Sequence, residues 1–98
     1  MKKVTLKTPQ DFYNFFESIP DEKWITGSYT RGRGPSCQHC AVGHLKAKTT
    51  KESFELLRSW VGRANLIEVN DGYNKKYRQK KPRIRILAFI RNFIKKLS

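Results

Sequence analysis

"PRIRILAFIRNFIKKL", residues 82–97, is the stretch that decides the class of fold. Ile86, Phe89, Ile90, Phe93, Ile94 and Leu97 recur at three- and four-residue intervals, which lines them up along one side of an α-helix. Arg85, Arg91, Asn92, Lys95 and Lys96 fill the remaining surface, and Pro82 suits a first turn, where a missing N–H breaks no hydrogen bond. A stripe this apolar needs other helices to cover it, and the upstream sequence supplies them. Thr8-Pro9-Gln10-Asp11 combines a capping hydroxyl, a first-turn proline and an acid, and Phe12, Phe15, Phe16 and Ile19 follow at helical spacing until Pro20. Thr49-Thr50-Lys51-Glu52 reads as a capping box, opening a helix with Phe54, Leu57, Trp60, Val61 and Ala64 inward. Ser36 is placed to cap a shorter helix through Ala41, Val42 and Leu45.

Two stretches resist this pattern. "WITGSYTRGRGPS", residues 24–36, is rich in Gly and keeps no period, so it reads as a loop. "NLIEVNDGYNKKYRQKK", residues 65–81, is open to a short strand, a turn at Asn70-Asp71-Gly72 or a helix end. The expected architecture is all-α: a small single-domain bundle of about four helices over residues 1–98, with room for a short strand or hairpin near residues 66–77.

Charge is the outstanding compositional feature. The 98 residues include 21 Lys and Arg against 8 Asp and Glu, a net charge of +13. Such an excess repels itself in a compact chain and usually serves a polyanionic partner. It is also uneven. Beyond Gly72 there are Lys75, Lys76, Arg78, Lys80, Lys81, Arg83, Arg85, Arg91, Lys95 and Lys96, and no acid. Tyr73 and Tyr77 interleave the first of these, a pattern suited to phosphate contacts with bases stacked on the rings. Arg31 and Arg33, in "RGRG", form a second basic element, which lacks the features of a P-loop or a dinucleotide fingerprint. The longest apolar run, Ile86 to Ile90, is far too short for a transmembrane segment. "MKKVTLKTPQ" has no apolar core of a signal peptide, so a cytoplasmic protein is expected.

The remaining chemistry sits in "PSCQHCAVGH", residues 35–44, which holds every Cys and His of the chain. Cys37, Cys40 and His44 have zinc-ligand spacing but make three ligands where a structural site wants four, so no cofactor is favoured and zinc is the one held open. A redox dithiol needs a preceding strand that the sequence does not offer. A nucleophilic Cys40 in a first helical turn, with His44 or His39 as base and Asp71 or Asn70 orienting it, is the catalytic alternative. A buried thiol acting as a small apolar side chain is the plain one.

Trp24-Ile25-Thr26-Gly27, Cys40-Ala41-Val42-Gly43-His44-Leu45 and Asn70-Asp71, in that order ahead of a closing amphipathic helix, resemble an uncharacterised group of small bacterial and phage proteins. That domain of unknown function carries W-x-x-G, C-A-x-G-x-L and N-D motifs. The resemblance spans about Trp24 to Leu97 and implies a small helical fold with no established activity. It implies that Cys40 and Asn70-Asp71 belong together, that Gly43 permits close helix packing and that Trp24 makes a core contact. Cys37, His39 and His44 depart from the motif.

The sequence therefore favours binding over catalysis. The expectation is a small basic protein, phage- or mobile-element-encoded, engaging nucleic acid or an acidic protein surface through residues 72–96. A cysteine-dependent enzyme centred on Cys40 and Asp71, with His44 a further candidate residue, is one alternative. An inhibitor of a host nucleic-acid-binding or defence complex is another.

Overall fold

Thr8 starts the first helix, α1 (Pro9–Glu17), by the means its sequence advertises. Its hydroxyl accepts the Asp11 N–H while the Asp11 carboxylate accepts the N–H groups of Lys7 and Thr8 at 3.0 Å each. Those two backbone bonds hold the Asp11 carboxyl below its ordinary pKa. Phe12 and Phe16 are fully enclosed, Phe15 is half-buried, and Ile19 is buried just past the helix end.

The computed structural model describes residues 2–32 and 37–97. After α1 come a 3-10 turn (Asp21–Lys23), β1 (Thr30–Arg31), β2 (Gln38–His39), α2 (Ala41–Lys48), α3 (Lys51–Val61), α4 (Arg63–Asp71) and α5 (Pro82–Leu97). The domain is small and mainly helical, with five helices and one short antiparallel strand pair among the described residues. None of these helices is long and apolar enough to cross a membrane.

The closing helix organises the rest. α5 packs against α1 and α4, with Ile86, Leu87 and Ile90 inside. Phe12 meets Trp60 edge-on at 5.7 Å, and Trp60 stacks on Phe93 at 5.8 Å, which joins α1, α3 and α5. Leu97, at the end of the expected stripe, is exposed.

Several local expectations need correction. The 24–36 segment is not wholly loop: Thr30 pairs with His39 and Arg31 with Gln38, in strands too short to show an alternating pattern. Ser36 lies outside the described residues, and α2 is capped by Cys40, whose Sγ accepts the Gly43 N–H at 3.4 Å. Thr50, one residue later than expected, caps α3, because the Thr49 hydroxyl turns back to the Leu45 carbonyl at 2.6 Å. Gly62, at φ 84°, breaks the helix after Val61, so Ala64 falls on α4 and is exposed. No strand or hairpin occupies residues 66–77: α4 runs to Asp71 and stops at Gly72, whose φ of 84° and ψ of 16° give a left-handed cap.

The largest correction concerns Arg85. Its place in the sequence puts it on the polar side of the last helix, yet it is only 6% exposed. Its Nε donates to the Val69 carbonyl at 2.9 Å, Nη1 to Gln79 and Lys80 at 2.7 and 3.0 Å, and Nη2 to Asn70 at 2.5 Å. One guanidinium thus ends α4 and anchors the chain entering α5. Positive charge at a helix C-terminus is also favoured by the helix dipole. Burial still pulls the Arg85 pKa below its ordinary value, with the nearby Asp71 charge acting against that.

Two outcomes are expected. Arg85→Lys should not rescue Arg85→Ala, because a lysine offers a point charge in place of a planar fork; each should lose about 2–3 kcal/mol in chemical denaturation. A chain ending at residue 81 loses Ile86, Leu87 and Ile90, each worth roughly 1.5–3 kcal/mol, and should show no cooperative thermal melt.

Candidate functional site

The acid-free segment after Gly72 is an ordered loop, and its order comes from the residues that turn inward. Tyr73 N–H donates to the Glu68 carbonyl at 2.9 Å, and the Lys76 N–H to the Asn74 side chain at 3.0 Å. Tyr77, only 7% exposed, meets Phe89 edge-on at 5.5 Å and accepts the Asn92 side-chain N–H at 2.9 Å. Arg85 then holds the Gln79 and Lys80 carbonyls. The sequence suggests that Tyr77 and Arg85 face a polyanion. Both are interior instead, since a phenol and a guanidinium can bury large surfaces when every polar end finds a partner.

The other members of the expected surface divide. Lys75, Lys76, Arg78 and Lys80 are exposed, and none has a carboxylate at ion-pair distance among the described residues. Lys81 pairs with Asp21 at 3.4 Å. Arg83 donates to the Glu17 carbonyl at 2.8 Å and lies 3.8 Å from Asp21, tying α5 to the end of α1. Tyr73 is 80% exposed and stands at the start of the loop. Arg33 lies outside the described residues. Arg31, on β1, is exposed and shares a cleft of about 520 Å³ with Lys80, Gln38, Asp71 and Arg85. The two basic elements read separately in the sequence therefore meet at one surface.

The thiol and imidazole cluster is arranged for packing. Cys40 is 4% exposed, and burial pushes its thiol pKa up, outweighing the backbone N–H groups that would lower it. The helix start therefore does not by itself draw this thiol toward the thiolate form. His44 is fully buried, 4.8 Å from the Trp24 ring and 5.0 Å from the His39 ring. Neither of its ring nitrogens makes a hydrogen bond of good geometry, although the Lys23 backbone lies close enough to favour the imidazolium weakly. Burial first, then the charges of Lys48 and His39, bring its pKa down to about 3. His39 faces the Thr30 hydroxyl at 2.8 Å and the Cys37 sulfur at 3.5 Å. No group of three or more His, Cys, Asp or Glu among the described residues is placed to hold a metal ion, so Cys37, Cys40 and His44 do not form a ligand set.

Cys40 and Asp71 do come together, without His44, at a pocket of about 320 Å³ whose other walls are Gly27, Ser28, Tyr29 and Ile67. Asn70 is the link between them. Fully buried, it accepts the Ala41 N–H at 3.0 Å and donates to the Ile25 carbonyl and the Asp71 carboxylate at 2.9 Å each. Asp71 Oδ1 also accepts the Gly27 N–H at 3.1 Å. These bonds fix the 25–27 segment; they orient no imidazole. Trp24 is 5% exposed, against Phe16 and with its indole N–H on the Ile19 carbonyl. Gly43 does permit a close approach, but of the Tyr29 backbone: a Cβ there would collide with the Tyr29 carbonyl oxygen. Ser28, Tyr29 and Ile67 carry no signal in the sequence, because nothing local marks them as lining a common space.

Comparison with protein-family models, curated proteins and solved structures gives no match for this chain.

His44 makes the fold acid-sensitive. Its folded pKa of about 3 lies below its ordinary value of 6.5, so the unfolded chain binds more protons between those limits. Stability is therefore expected to fall as pH drops through that window, by up to about 1.4 kcal/mol per unit from this group. His44→Leu should flatten the dependence between about pH 6.5 and 5.5, above the range of ordinary carboxylates. Denaturant melts of both proteins across that range measure it.

Proposed function

We propose that this protein binds nucleic acid through the surface formed by the 72–81 loop and Arg31, and that it works as a binding protein with no catalytic step. One observation carries the reading: the loop is held in a fixed shape by its buried Tyr77 and by Arg85, while Lys75, Lys76, Arg78 and Lys80 point outward without carboxylate partners among the described residues. A solvated cationic tail needs no such anchoring. An ordered array of cations loses less conformational entropy on meeting a phosphate backbone than a flexible one does. It also releases condensed counterions, which makes association strongly dependent on salt. The raised thiol pKa of Cys40 and the separation of His44 from the Cys40–Asp71 pocket argue against the cysteine-dependent alternative.

Binding to a short labelled oligonucleotide should weaken steeply with added salt. Converting Lys75, Lys76, Arg78 and Lys80 to Gln should flatten the slope of log K against log salt by roughly 0.7–0.9 for each phosphate no longer neutralised. Fluorescence anisotropy at several salt concentrations reads both slopes. Equal slopes for the two proteins, or no binding by the unaltered protein at low salt, would sink the proposal.

A further inference from the structure

We infer that the nucleic acid is single-stranded and that one unpaired base, carrying an exocyclic amine, enters the pocket lined by Tyr29, Ile67, Ser28, Cys40 and Asp71. This rests on the nucleic-acid reading above and narrows it to a class of strand and of base. Two depressions lie side by side on this face and share Asp71 as a wall. The wider one, of about 520 Å³, carries Arg31 and Lys80, the side chains for phosphate. The narrower one, of about 320 Å³, has an aliphatic wall at Ile67 and an aromatic one at Tyr29, whose ring also carries Lys46 Nζ at 5.5 Å and the Arg63 guanidinium at 5.3 Å. That volume lies near the lower end of small-ligand pockets, roughly 300–1,000 Å³, which suits one planar base better than a whole nucleotide.

The chemistry at the pocket edge selects among bases. Among the described residues, the hydrogen bonds to Asp71 from Gly27 and Asn70 both fall on Oδ1, which leaves Oδ2 able to accept another. A carboxylate repels phosphate and attracts amino groups. Cytosine, adenine and guanine carry such a group; thymine and uracil do not. In a duplex these amines are paired and the bases stacked, so a strand presents one sideways only when it is single. Tyr73, two residues along the chain from Asp71, is 80% exposed and offers its ring to a neighbouring base.

The decisive comparison uses strands of equal length and phosphate charge: oligo(dC), oligo(dT) and an abasic strand. Oligo(dC) should bind roughly tenfold or more tighter than the abasic strand, with oligo(dT) closer to the abasic one. Ser28→Trp, at an exposed pocket residue, should fill the space and bring oligo(dC) down to the abasic level while its melt stays cooperative. A second measurement does not depend on that variant. Saturating oligo(dC) should shift the side-chain methyl resonances of Ile67, a wall of the pocket, and the abasic strand should not. Equal, salt-dependent binding of all three strands, or unmoved Ile67 methyl resonances under saturating oligo(dC), overturns the pocket inference and leaves the cationic-surface reading standing. No binding of any strand at low salt removes both.

Discussion

The Arg85 guanidinium, closed off from water and bonded to the carbonyls of Val69, Asn70, Gln79 and Lys80, ties together the parts of this molecule that matter for its surface. A buried charge without hydrogen-bond partners would be expensive enough to unfold a domain of this size. Here the bonds fall on carbonyls at a helix end and in the loop, where intrahelical partners run out, and the Val69 carbonyl accepts the Gly72 N–H as well. Gly72 makes the arrangement possible: its left-handed conformation turns the chain, and a Cβ there would stand 3.4 Å from the Arg85 guanidinium carbon. Asn70 extends the network to the start of α2 and to Ile25, so the polar centre reaches the helix, the ribbon and the basic loop at once.

This centre explains how a chain of net charge +13 can present its cations in an ordered array. Like charges on neighbouring residues repel, and an unanchored segment relieves that repulsion by spreading into solvent. Tyr77 in the core and Arg85 on the loop carbonyls prevent the spreading. The cations nearest the fold are partly neutralised, Lys81 and Arg83 by Asp21, while Lys75, Lys76, Arg78 and Lys80 have no carboxylate at ion-pair distance among the described residues.

The Cys and His residues serve the same framework from the other side. Cys40 caps α2 with its sulfur, His44 fills space between Trp24 and His39, and Gly43 lets the Tyr29 carbonyl sit against the helix. Burial disfavours the charged forms of both the Cys40 thiol and the His44 imidazole.

Sequence by itself determined the helical class, the Thr8 cap with its Asp11 partner, the span of the last helix and the acid-free run beyond Gly72. Each of these is written in neighbouring residues, through side-chain period, local hydrogen bonding or charge count, and needs no knowledge of distant contacts. Tertiary structure alone decided the inward turn of Arg85 and Tyr77, the β1–β2 ribbon, the meeting of Arg31 with Lys80, and the gathering of Ser28, Tyr29, Ile67 and Asp71 around one pocket. An arginine in a basic helix looks the same whether it faces water or four carbonyls. Which it faces depends on backbone groups 5 to 16 residues away along the chain, brought near by the packing of α4 against α5.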